Sequence, residues 1–124
     1  MIENITEKKE KALIVGILLP SRDKWRVEET LSELFQLTLS AGAEVCDQLI
    51  IKQHKIKAGY YIGSGKAEEI SQTIREKNIS LVIFDDDLSP LQGRNLERIF
   101  KIRVIDRSQL ILDIFSLRAR FRGL

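Results

Sequence analysis

Gly63, Ser64, Gly65 and Lys66 are the residues of this chain arranged most like a phosphate cradle. Glycines let a backbone come close to a phosphate, a helix N-terminus offers free N–H groups, and a lysine adds a full charge. The Walker A pattern also needs a glycine where Tyr60 stands and a serine or threonine where Ala67 stands. This stretch is therefore not a P-loop. Two readings stay open: a turn that binds a phosphate group of a nucleotide or of RNA, and a tight strand-to-helix turn in which Gly63 or Gly65 takes positive φ.

The other reactive side chains point to no catalytic centre. Asp85, Asp86 and Asp87 could hold magnesium at the end of a strand, but Asp87 and Ser89 read more simply as caps of the helix that Pro90 opens. His54 is the single histidine and has no acid near it in sequence, so neither a triad nor a zinc site is supported. Cys46 sits in an apolar run and reads as core, and Ser64 has no base beside it. Tyr60 and Tyr61 could stack on nucleobases. The plainer expectation is that one of them is buried and the other exposed.

These residues must be positioned by a folded domain, and the composition allows one. With 124 residues, 44% hydrophobic and 31% charged, the chain suits a single globular unit rather than a disordered one. Its longest apolar run, Ala12 to Leu19, is too short to cross a bilayer, so no membrane partner is expected. One cysteine and no secretion pattern lead to the expectation of a cytoplasmic protein. Charge is uneven. Residues 94–124 hold eight Lys/Arg against three acids, a net of +5, while the first 93 hold 12 against 15, a net of −3. Arg94, Arg107, Arg118, Arg120 and Arg122 thus offer a surface for phosphate, or simply a solvated face.

Apolar patterning supplies the elements. After a polar tail over residues 1–11, "KALIVGILLP" reads as a buried strand stopped by Pro20. A helix follows with Val27, Leu31, Leu34 and Thr38 at helical spacing, ended by Gly42. "AEVCDQLIIKQ" reads as a strand, "GYYIG" as a short extended piece, and "KAEEISQTIREKN" as a helix closed by Asn78. "ISLVIFDDD" and "KIRVID" are two further strands, with a helix from Ser89–Pro90 between them. The last helix carries Leu110, Ile114, Leu117 and Phe121 in one stripe within a wider apolar band. Such a band is either buried on two sides or awaits a partner, a following helical segment or a second copy of the chain. The alternation predicts an α/β fold, a mostly parallel sheet of four to five strands with helices on both faces. Ligands of such sheets bind at the carboxyl ends of the strands. Three polar clusters belong there: Pro20 to Arg26, Gly63 to Lys66, and Asp85 to Pro90.

Three motifs, "YIGSGKAEEI", "FDDDLSPLQGRNLERIF" and "RVIDRSQLILDIFSLRAR", stand in this order over residues 60–120. In order and spacing they resemble the N-terminal domain of the HflX-type GTPases. The resemblance implies a domain over residues 12–124 that contacts ribosomal RNA of the large ribosomal subunit, and it also implies ATP as a ligand. It implies that Gly63, Ser64, Gly65 and Lys66 contact phosphate, with Arg94, Asn95 and Arg107 on the same edge and Arg118 and Arg120 extending the basic surface. The family's GTPase domain, with its P-loop, GTP and magnesium, is expected outside these residues. A stand-alone adenine-nucleotide-binding domain is the alternative.

Overall fold

The computed structural model describes residues 9–122, with side chains described through Ser116. Eight elements alternate along it: β1 (Lys11–Leu18), α1 (Lys24–Ser40), β2 (Glu44–Lys52), α2 (Ser64–Lys77), β3 (Leu81–Phe84), α3 (Pro90–Phe100), β4 (Arg103–Asp106) and α4 (Arg107–Arg122). The four strands form one parallel sheet in the order β2-β1-β3-β4. This is the expected α/β class, with the strand order now defined.

β1 runs through the middle of the sheet, and its apolar run is buried because helices cover both of its faces. Leu13, Val15 and Ile17 point toward α2 and α3, where they meet Ile62, Ile70, Phe84 and Leu96. Ala12 and Ile14 point the other way, toward Leu31 and Leu34 of α1 and Leu110 and Ile114 of α4. Gly16 lets α1 come close to this second face, since a Cβ there would lie 3.0 Å from Leu31 Cγ. Arg118 and Arg120 lie on α4 beyond the described side chains, as do Leu117 and Phe121 of the expected stripe. Among the described residues no helix is long and apolar enough to cross a membrane.

Helix punctuation follows the sequence signals. Ser89 caps α3 in a full capping box with Gln92, Pro90 follows at the first position, and Asn78 closes α2 in the left-handed region. Asp87 takes no part in that cap and accepts the Ser108 hydroxyl at 2.7 Å instead. "GYYIG" departs from expectation. It is a turn with a single antiparallel bridge between Lys57 and Tyr61, not a fifth strand. The physical reason is Tyr61, whose φ of 67° breaks any extended run.

Candidate functional site

All three polar clusters lie at the carboxyl edge of the sheet, and side chains tie them together. Asp86, just past β3, receives Arg22 from the β1–α1 loop at 2.8 Å and the phenol hydroxyl of Tyr61 from the β2–α2 loop. Arg22 also donates to the Ile17 carbonyl at 3.0 Å. Tyr61 is buried, and its ring packs edge-on to Phe84 at 6.1 Å between centroids. Burial, reinforced by the Asp86 carboxylate, pushes the Tyr61 phenol well above its ordinary range, so it remains a hydrogen-bond donor. For Arg22, partial burial works against the charge, yet Asp86 outweighs it and the guanidinium is held above its usual value. A bulky residue at positive φ is strained, and this latch with its buried ring holds it in place.

Three side-chain amides fix the rest of the β2–α2 loop. Gln53 donates to the Tyr61 carbonyl at 2.7 Å and accepts the Gly63 N–H at 3.0 Å. Gln92 reaches from α3 to the Lys57 carbonyl at 2.9 Å, and Asn95 reaches the Gly59 carbonyl at the same distance. Asn95 thus positions the loop through its amide nitrogen.

The glycines of the turn do not have the geometry of the tight-turn reading. Gly63 has φ −75°, and Gly42 is the single glycine at positive φ among the described residues. A methyl group on Gly63 or Gly65 would meet no atom within 4 Å apart from chain neighbours and α2's own backbone. Neither the backbone conformation nor the packing of this chain therefore requires glycine at either position. The positive φ that the tight-turn reading gives to a glycine occurs at Tyr61 instead.

Lys66, on the first turn of α2, does not stand alone. Lys24 on the first turn of α1 and Lys52 at the end of β2 line the same hollow of about 480 Å³, with Glu28 as its acid. A neighbouring hollow adds Arg22 and His54 to Lys24 and Lys52. From Gln48 to Ala67 the chain contains no acid and four lysines, of which Lys52, Lys55 and Lys57 are exposed. Tyr60 stands out at 45% exposure while Tyr61 is buried, as the paired-tyrosine expectation has it.

Arg94 is exposed on α3, on the same face of the sheet as α2. Arg107 sits at the same carboxyl edge but on the opposite face. Its guanidinium is committed to Asp85 at 2.7 Å and to the Thr30 carbonyl at 2.6 Å, with Glu33 at 3.7 Å. The structure thus brings Lys66 together with Lys24 and Lys52 rather than with Arg107. The Pro20–Arg26 cluster pointed to Lys24, whereas Lys52 lay hidden at the end of an apolar strand.

A family model described as "GTP-binding GTPase N-terminal" matches residues 28–116. The chain is 40% identical over 119 residues to a GTPase HflX of Flavobacterium psychrophilum, covering 96% of this chain and 29% of that protein. It is 43% identical over 111 residues to GTPase HflX of Escherichia coli, covering 90% of this chain and 25% of that protein. Among solved structures, a GTP-binding protein from Sulfolobus solfataricus in complex with GDP matches with a TM-score of 0.64 at 25% identity, over 89% of this chain and 31% of that one. The chain therefore spans little more than a quarter of the length of these HflX relatives. With the family model matching well over half of its residues, the chain belongs to the GTP-binding GTPase N-terminal family.

Proposed function

We propose that this chain is the RNA-binding N-terminal part of a cytoplasmic GTPase that associates with the large ribosomal subunit, and that GTP is bound and hydrolysed outside these residues. The observation that carries the reading is the pair of glycines at the N-terminus of α2. Both stand where the fold itself has room for a Cβ, shortly before Lys66 in sequence, which lines a hollow with Lys24 and Lys52. Glycine there leaves the α2 N–H groups bare, so a phosphate backbone can approach them closely. The lysines hold the same backbone by charge and leave sequence unread. The acid-free run through Lys52, Lys55 and Lys57 extends the track along the sheet edge.

Gly65→Ala separates fold from function. Alanine relieves the helix of a glycine and should stabilise the protein by about 0.5–1 kcal/mol. Its methyl group stands in the path of the phosphate, so affinity for a single-stranded RNA should fall severalfold. Thermal melting and fluorescence anisotropy measure the two effects. A variant that melts higher and binds RNA as well as the parent would remove the turn from the interface.

A further inference from the structure

On the other side of α1's first turn lies a second hollow, of about 750 Å³, between the carboxyl ends of β1 and β3. The chain leaves β1 toward β2 on one side and returns to β3 on the other, so this is the switch point of the sheet. Open parallel sheets place ligands in this crevice. Trp25 forms one wall, with 62% of its surface exposed. Asp85 lies at the base, its side chain only 9% exposed. Arg107 takes Oδ1 of Asp85, while among the described residues no donor reaches Oδ2. Among the described residues every sealed side-chain polar atom has a partner, so Oδ2 is open to the hollow.

We propose that this hollow receives one unstacked base of a single-stranded RNA segment. The inference rests on the RNA-binding reading above and assigns a second subsite to it. Charge decides which part of a nucleotide goes where. The hollow's three arginines are outnumbered by four acids, which disfavours a phosphate inside it. The neighbouring hollow carries three lysines against one acid. Lys24 and Trp25 are consecutive residues that face these two spaces. A strand whose phosphates follow the lysines therefore presents a base to the indole face, where stacking tolerates any base. The free oxygen of Asp85 accepts a hydrogen bond from an exocyclic amino or ring N–H group.

Trp25 is the only tryptophan of the chain, so its fluorescence reports on this subsite directly. A short unlabelled single-stranded RNA is expected to quench it, while inorganic polyphosphate competes for the lysines without quenching. Trp25→Ala should lower RNA affinity about tenfold and leave the salt dependence unchanged. Its exposure makes the substitution harmless to folding. Salt-dependent RNA binding with no quenching, and with Trp25→Ala binding normally, would overturn the base subsite and leave the RNA-binding reading intact. Absence of any RNA binding by the parent chain would overturn both. Quenching by AMP as strong as by RNA at equal concentration would assign the hollow to a free nucleotide and overturn the RNA occupant.

Discussion

Asp86→Ala is expected to lower stability by about 3 kcal/mol, a large loss for a side chain outside the core. Asp86 is the common acceptor for Arg22 and Tyr61, and it lies at the meeting point of three loops. Removing it leaves the buried Tyr61 O–H without its acceptor, which costs about 1–3 kcal/mol by itself. Arg22 is about one-third exposed and can turn to water, so it adds less. Tyr61 would then keep its positive φ with the ring contact to Phe84 and the Gln53 amide to hold it. Chemical denaturation measures the stability, and hydrogen exchange should show faster opening of residues 57–62. Tyr61→Phe keeps the ring and should lose only about 1–2 kcal/mol. An Asp86→Ala protein within about 0.5 kcal/mol of the parent, the range of an ordinary surface change, would show that the latch does not hold these loops.

The largest expected loss of binding comes from the lysine hollow. Replacing Lys24, Lys52 and Lys66 together by glutamine removes three phosphate contacts. For single-stranded RNA each contact accounts for about 0.7 unit of the slope of log affinity against log salt. The slope should therefore flatten by about 2 units, and affinity at ~0.1 M salt should fall about a hundredfold. Lys66→Ala alone should flatten it by about one contact's worth. These side chains are partly or fully exposed, so the triple variant should melt close to the parent. A slope unchanged in the triple variant would place the RNA contacts elsewhere on the surface.

Most of the scaffold was legible because the strands are short apolar runs and the helices carry plain punctuation. "LIVGIL" and "LVIF" needed two covered faces, and Ser89, Pro90 and Asn78 marked helix ends where they stand. The three polar clusters could be assigned to one edge because a parallel sheet puts every strand-to-helix loop there. Pairings across that edge were not legible. Arg22 and Asp86 are 64 residues apart, and Arg107 reaches a carbonyl 77 residues away, so no local pattern announces them. The loop before α2 was misread for a related reason. Its aromatic and apolar letters suit a strand, yet amides from Gln53 and Gln92 satisfy its carbonyls and Tyr61 turns the chain. The tight-turn reading of the glycines placed positive φ at Gly63 or Gly65, and the structure has it at Tyr61 instead.

The proposal that the domain carries ribosome recognition is tested most directly by co-sedimentation of the purified chain with large ribosomal subunits at two salt concentrations. Saturable binding that weakens as salt rises, and that the Lys24/Lys52/Lys66 triple variant loses, is the predicted result. Failure to pellet with the subunits at either concentration would contradict it.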